Sequence, residues 1–180
     1  MIEVEKKYNV SLETFKIVEA KLLEMGDFLD EAEEQNTLYA KSGQPLDEVY
    51  RIRTLHSISG IKATRFTFKR KIDNVDGLKR YTELEFSVDK KLFEEFLTVG
   101  LGLIPFLSYE KKRQEFHISN SVVCLDVLPF GYFVEIEGTK ENIQYLEKLL
   151  ELEDSVEEKT YPQLTKDFGN MKSGIYVATF

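Results

Sequence analysis

The chain opens with Met1-Ile2-Glu3-Val4-Glu5-Lys6-Lys7, in which charged side chains recur at every second position. Successive side chains of a β-strand point to opposite faces, so Glu3, Glu5 and Lys7 would share one face. Carboxylate oxygens are the ligands that hard divalent cations prefer, and an ammonium group can hold an anion or take part in proton transfer. The opening therefore predicts a strand with cation-binding and anion-binding groups side by side.

The same spacing recurs along the chain, and the sign of the charge changes between segments. The acidic set comprises Glu3, Glu5, Glu83, Glu85, Asp126, Glu135 and Glu137, and the basic set comprises Lys7, Arg51, Arg53, Lys69, Lys71, Lys111 and Arg113. Basic pairs two residues apart suit successive phosphate oxygens, because arginine offers forked donors and lysine a point charge. Together the two sets predict a site for a polyanion and its metal ion.

Alternation of apolar and polar residues predicts the elements that must position these groups. The expected strands cover 1–10, 35–40, 48–57, 62–72, 79–88, 104–118, 122–128 and 132–138. The expected helices cover 12–25, 90–100, 141–152 and 160–168, with Ser11 and Asp89 as N-caps. We place a loop at 42–45 and a turn at 73–77, and we find no linker that would divide 1–180 into two domains.

Two arrangements of these strands are compatible with the pattern. One is a sheet with a solvated polar face and cross-strand ion pairs. The other is a closed barrel with the charges inside and the apolar faces packed on helices. A dry core cannot bury so many charges, so the interior of such a barrel must be wet or occupied by a charged ligand.

Composition excludes several classes of protein. The chain has 180 residues, of which 42% are hydrophobic and 31% charged, with a formal net charge of -8. This composition predicts a globular protein without a general nucleic-acid or anionic-membrane surface. Cys124 is the single cysteine, no apolar run has the length of a membrane span, and no signal segment follows Met1. We therefore expect a cytoplasmic location.

The motifs, taken together and in order, resemble the CYTH superfamily of triphosphate tunnel metalloenzymes. They are Glu3-x-Glu5-x-Lys7, Gln35-Asn36-Thr37, Arg51-x-Arg53, Thr67-x-Lys69, Glu83-x-Glu85, Lys111-x-Arg113, Asp126, Gly131-x-Phe133-x-Glu135-x-Glu137 and Tyr161-Pro162-x-Leu164. The resemblance implies an α+β fold, in which an eight-stranded antiparallel β tunnel barrel is flanked by helices. It also implies that the basic set holds a triphosphate and the acidic set binds Mg²⁺ or Mn²⁺.

Two candidate catalytic residues follow from the resemblance, Lys7 and Glu5. Lys7 is either a general base or a cation that keeps nearby glutamates ionised, and the resemblance does not choose between these roles. Lys71 either extends the triphosphate site or lies at its mouth.

Three functions remain open at this point. The favoured one is a metal-dependent phosphohydrolase of tripolyphosphate, thiamine triphosphate or a nucleotide such as ATP. The second is a class IV adenylyl cyclase, which needs a base and sugar pocket, formed for instance by Leu38, Tyr39, Phe133 or Tyr161. The third is a non-catalytic polyphosphate binder, which would need only the basic set. Hydrolysis is favoured because water needs no adenosine pocket; a homodimer remains possible on the sequence.

A few charged and reactive residues are expected to have no role in the site. Lys6, Lys112 and the acidic run Glu31–Glu34 are predicted to be solvated. His56 and His117 are not expected to bind metal, and Cys124 is expected to be a packing residue.

Overall fold

The computed structural model describes residues 2–41 and 48–180. The strands are β1 (Ile2–Val10), β2 (Asp27–Ala40), β3 (Glu48–Ser57), β4 (Lys62–Val75), β5 (Leu78–Ser87), β6 (Ile104–Ile118), β7 (Ser121–Leu128), β8 (Gly131–Glu137), β9 (Asn170–Lys172) and β10 (Ile175–Ala178). The helices are α1 (Leu12–Met25), α2 (Lys90–Glu95), α3 (Lys140–Leu149) and α4 (Tyr161–Phe168). The predicted loop at 42–45 lies outside the described residues.

The first eight strands form a closed antiparallel barrel. Their order is β2-β3-β4-β5-β1-β8-β7-β6, and β6 pairs back to β2 over Asp27–Ala40, which closes the ring. The predicted eight-stranded barrel is therefore confirmed. Closure leaves no unpaired edge in the barrel itself, and it forces the alternating faces of the strands either inward or outward.

The apolar faces point outward and are covered by helices. Under α1 and α3, Val18, Leu22 and Leu146 pack with Phe116 and Val134 of the barrel wall. A second outer cluster lies where α2 and the π-helical turn Phe96–Gly100 meet β2, β3 and β4; it contains Tyr39, Ile52, Phe66, Leu97 and Leu103. The hydrophobic core of this protein thus lies between barrel and helices, and the charged faces are left to line the lumen.

The fourth helix closes one end of the barrel. Thr160 caps α4 in a reciprocal capping box with Gln163, and Pro162 occupies the first turn, where a missing backbone N–H costs little. Leu164 packs with Leu107, Leu128 and Phe133. The first residue of the helix, Tyr161, is therefore held at the end of the lumen.

Several boundaries differ from the prediction. β2 begins at Asp27 rather than at 35, because the acidic segment pairs along β6 as a strand. The helix predicted over 90–100 is α-helical only to Glu95 and continues as a π-helical turn. β9 and β10 were not predicted; β10 pairs in parallel with β6 through Tyr176↔Leu107.

Two surface assignments made from the sequence are wrong. Lys6 does point out of the barrel, but α3 covers it, and its ammonium lies 2.5 Å from the Glu147 carboxylate in a buried ion pair. Glu34 is also buried, in contact with Arg53 and Lys111. By contrast, Lys112 is exposed as predicted and pairs with exposed Glu33.

No helix within residues 2–41 and 48–180 is long and apolar enough to cross a membrane.

Candidate triphosphate and metal site

The lumen is a cavity of about 550 Å³ lined mainly by charged side chains. Of the predicted site residues, the cavity wall includes Glu3, Glu5, Lys7, Arg51, Arg53, Lys69, Lys71, Glu83, Glu85, Lys111, Arg113, Glu135 and Glu137. The alternation in the strands brings residues from opposite ends of the chain together in this cavity. Asp126 also faces inward, but it is fully buried behind its partners.

One side of the lumen carries four glutamates, Glu3, Glu5, Glu83 and Glu137, which we call the acidic wall. The Lys69 ammonium lies among them, 2.7 Å from Glu3, 2.9 Å from Glu5 and 3.3 Å from Glu83. Burial raises the pKa of Glu3 from 4.5 to about 9; Lys69 opposes this shift, and the neighbouring Glu83 adds to it. Burial also raises the pKa of Glu137. The acidic wall thus holds more carboxyl groups than a single ammonium can neutralise.

Across the lumen, two predicted phosphate-binding cations share a carboxylate that was expected at the surface. Glu34 lies 3.4 Å from the Arg53 guanidinium and 3.3 Å from the Lys111 ammonium. Burial alone would raise the pKa of Glu34, but Arg53 and Lys111 hold it well below its ordinary value. The parity of β2 could have revealed this residue, because Glu34 shares a face with Asn36 and Leu38.

A third group surrounds Arg113 near the end closed by α4. The guanidinium donates two hydrogen bonds to Asp126, at 2.7 and 2.6 Å, and one to Glu135. The Tyr161 hydroxyl donates to Asp126 at 2.7 Å. The Lys7 ammonium lies 3.3 Å from Glu135 and 3.5 Å from the centre of the Tyr161 ring. Lys7 is therefore held deep in the lumen by an ion pair and a cation–π contact.

The remaining predicted residues lie along β3, β4 and β5. Arg51 donates to the Thr67 hydroxyl at 3.0 Å, and that hydroxyl donates to Glu85 at 2.7 Å. Arg65, which was not predicted as a site residue, pairs with Glu85 at 2.9 Å. Lys71 lines the cavity but is exposed, which places it at the mouth.

A further lysine, also not predicted from the sequence, ties the lumen to the segment before α4. Lys79 is buried and donates to the carbonyl oxygen of Glu157 at 3.0 Å. Burial, and then the nearby Lys7, lower the pKa of Lys79 from 10.5 to about 8. The sequence did contain a signal for this residue: Lys79 lies two residues before Tyr81 and therefore on the same, inward face of β5.

The residues of the acidic wall fit a hard divalent cation by their chemistry. Three carboxyl groups from β1 and β5 converge on one point, which a positively charged nitrogen occupies. Within the described residues, no three carboxylate, histidine or cysteine side chains form a metal-binding group as they stand. Asp126 and Glu135 are instead engaged with Arg113, so their role as metal ligands remains a prediction.

Several other residues considered from the sequence are positioned away from this chemistry. Tyr39 points outward and donates to Glu94, so it lies outside the lumen, and Phe133 is buried against Tyr161. His56 and His117 are exposed. Cys124 borders the cavity beside Arg113, and burial raises the pKa of its thiol.

The closed antiparallel barrel and its charged lumen define the class of this protein as a tunnel barrel. Comparison with known families identifies the family to which the chain belongs. The model of the CYTH domain matches residues 1–167, so the chain belongs to the CYTH family. No curated protein sequence matches the chain.

Solved structures share this fold over most of the chain. The PH1819 protein of Pyrococcus horikoshii OT3 is 26% identical, with a TM-score of 0.74 over 92% of this chain and 99% of that one. A putative adenylate cyclase of Vibrio parahaemolyticus is 18% identical, with a TM-score of 0.72 over 92% and 98%. A putative adenylyl cyclase of Hippeastrum, described as having a dominant triphosphatase activity, is 15% identical, with a TM-score of 0.71 over 94% and 97%.

Proposed function

We propose that the protein is a divalent-metal-dependent phosphohydrolase that acts on a linear triphosphate, either inorganic or organic. The observation that carries this proposal is a single cavity lined by many cationic side chains together with the glutamates of the acidic wall. A linear triphosphate has about four negative charges near neutral pH and needs several fixed cations. Arg51, Arg53, Lys69, Lys111 and Arg113 would supply them.

The chain's own residues would act by position and charge. Arg53 and Lys111, oriented by their shared carboxylate Glu34, would hold phosphate oxygens from one side. The acidic wall would hold Mg²⁺ or Mn²⁺, which supplies charge neutralisation and Lewis-acid activation of water when bound. The Lys7 ammonium, buried beside Glu135, would stabilise negative charge on the phosphoryl group.

The class IV adenylyl cyclase reaction is the second candidate. One observation favours it: the cavity lining also includes Leu38, Val49 and Pro162, whose apolar atoms could contact a base or sugar. One similar structure is described as a putative adenylate cyclase, whereas the putative adenylyl cyclase of Hippeastrum is described as having a dominant triphosphatase activity. Cyclisation requires the 3′-oxygen to lie in line with the α-phosphorus, a stricter geometry than attack by water.

Product analysis distinguishes these functions. The purified protein would be incubated with tripolyphosphate, thiamine triphosphate or ATP, each with Mg²⁺ or Mn²⁺, and orthophosphate, pyrophosphate and cyclic AMP would be measured. We expect orthophosphate from a linear triphosphate to form faster than cyclic AMP from ATP. A Glu5→Gln preparation, purified identically, controls for contaminating phosphatases. Cyclic AMP and pyrophosphate as the main products, with tripolyphosphate inert, would overturn the proposal; binding without turnover would favour the non-catalytic alternative.

A further inference from the structure

Lys69 has an unusual set of neighbours for a residue expected to bind phosphate. Its ammonium has three N–H donors, and three carboxyl groups lie within 2.7 to 3.3 Å of the nitrogen. The ring of Tyr81 is 4.3 Å away and closes a fourth side. The ammonium donates a hydrogen bond to Glu5 and forms ion pairs with Glu3 and Glu83, so in this position it is engaged by carboxyl groups and not by an anion.

The same point is where the carboxyl groups of Glu3, Glu5 and Glu83 converge. A divalent cation bound by oxygen ligands at roughly 2.0–2.2 Å would have to occupy the space now filled by the Lys69 nitrogen. An ammonium and a dication cannot share that space, because it has room for only one of them and because their charges repel. Lys69 and the metal are therefore alternatives at the acidic wall.

We propose that Lys69 is an internal counter-cation that occupies the metal position until a triphosphate draws its ammonium away. The flexible four-carbon stem of lysine lets the ammonium turn from the acidic wall toward a phosphate oxygen in the same cavity. This movement frees the carboxyl groups for a cation. The inference rests on the proposed function, because it requires that both a triphosphate and a divalent cation enter this lumen.

The arrangement makes triphosphate and metal binding mutually dependent. Without an anion, a divalent cation must displace Lys69 from three partners, so its affinity is low. Once phosphate engages Lys69, that cost is removed. By thermodynamic linkage, the metal then strengthens triphosphate binding by the same factor. The lumen would thus admit substrate and metal together and would hold little metal when empty.

The test is the affinity for Mn²⁺ alone, measured by calorimetry or by the EPR signal of free Mn²⁺, without any phosphate. We expect Lys69→Met to bind Mn²⁺ about 10-fold more tightly than the wild type, within the range typical of coupled sites. The matched control is Lys71→Met, which removes the same charge two residues along β4 from an exposed side chain at the mouth. The control should change the Mn²⁺ affinity by less than about 2-fold, because the exposed Lys71 charge acts on the acidic wall only at longer range and is screened by salt.

Equal affinities in the two variants, or weaker Mn²⁺ binding in Lys69→Met, would overturn the inference. Lys69→Gln offers a second variant if the methionine disturbs folding, since an amide keeps hydrogen bonds to the carboxyl groups without the charge. Lys69→Gln should likewise bind Mn²⁺ more tightly than the wild type. Adding Mn²⁺ should also raise the Tm of this variant more than it raises the Tm of the wild type.

A further arm separates this inference from the proposed function. If the wild type binds Mn²⁺ in the presence of tripolyphosphate but Lys69→Met and Lys71→Met behave alike without it, only the counter-cation role fails. If no variant binds Mn²⁺ even with tripolyphosphate, the proposed function fails as well.

Discussion

At the scale of single residues, the role of each charged side chain is set by its partner across the lumen. Glu34 shows this most clearly, because it is 5% exposed and contacts two cations from neighbouring strands. A buried ion pair contributes little net stability over an apolar pair, yet losing one partner leaves an uncompensated buried charge. The consequences of substitution are therefore asymmetric.

Glu34→Ala should lower the free energy of unfolding by about 3–5 kcal/mol, because Arg53 and Lys111 lose a buried counter-charge. The control is Glu33→Ala on the same strand, whose side chain is 70% exposed and pairs with Lys112 on the surface. That change should cost less than about 1 kcal/mol. Urea unfolding measures both, and equal losses would show that Glu34 does not compensate the two cations.

Arg53→Ala or Lys111→Ala should weaken tripolyphosphate binding by roughly 1.5–3 kcal/mol, since each removes a charge-assisted contact. Arg70→Ala serves as the control, because Arg70 lies on the outward face of β4, with 58% of its side chain exposed. Titration calorimetry measures the affinities. Unchanged binding in both lumen variants would contradict their assignment to the triphosphate.

Glu5→Ala or Glu137→Ala should impair metal dependence more than metal-free anion binding, because these carboxyl groups belong to the acidic wall. The expected result is a higher Mn²⁺ concentration for half-maximal phosphate release. Metal-free tripolyphosphate affinity should change less. Full activity of both variants at low Mn²⁺ would rule out these residues as metal ligands.

At the scale of elements, the segment between α3 and α4 determines how the lumen is closed. Val156 forms a β-bridge with Tyr8, and the Glu157 backbone N–H donates to the Lys7 carbonyl at 2.8 Å. Gly77 lies in the two-residue β4–β5 turn with a φ of 77°, and a Cβ there would lie 2.5 Å from Val156. Glycine is thus needed at this turn both for its left-handed backbone and for the close approach of this segment.

Lys79 fastens the same segment, and its lowered pKa predicts a pH dependence. The folded protein releases the proton at about pH 8 and the unfolded chain at 10.5, so the unfolded state binds more protons between these values. The contribution of Lys79 to the free energy of unfolding should therefore rise with pH across this window and decrease again as the pH is lowered through it. Relative to Lys79→Met, it should increase by roughly 1–3 kcal/mol between these two pKa values. A difference that does not vary with pH would contradict the burial of this ammonium.

At the scale of the whole molecule, the barrel keeps its charges inside and its hydrophobic core outside. Helices cover the outer faces, and ion pairs between the lumen walls compensate the interior charges. Ligands that match both the cations and the carboxyl groups of the lumen should then stabilise the fold as a whole, because they bind only the closed barrel.

Tripolyphosphate with Mn²⁺, each at about 100 times its dissociation constant, should stabilise the folded state by at least roughly 2.7 kcal/mol. For a chain of this size that corresponds to a rise in Tm of about 5–10 °C. Scanning calorimetry with orthophosphate as the control anion measures it. No rise with tripolyphosphate, or an equal rise with orthophosphate, would argue against a site built for a linear triphosphate.

Much of the fold, and most of the residues that line the lumen, followed from the sequence alone, because charge alternation in a strand has a period of two and can be read locally. Glu3, Glu5 and Lys7, or Arg51 and Arg53, had to share a face wherever their strands lay, and the motif order indicated the family. Tertiary structure decided which faces turned inward and which charges met. Glu34 and Lys6 look solvated in isolation, yet the pairing of β2 with β6 and the packing of α3 on β1 bury them. The placement of Lys69 among three carboxyl groups likewise depends on the pairing of β4, β5 and β1, because a contact such as that between Lys69 and Glu5, 64 positions apart, is fixed only when the barrel closes.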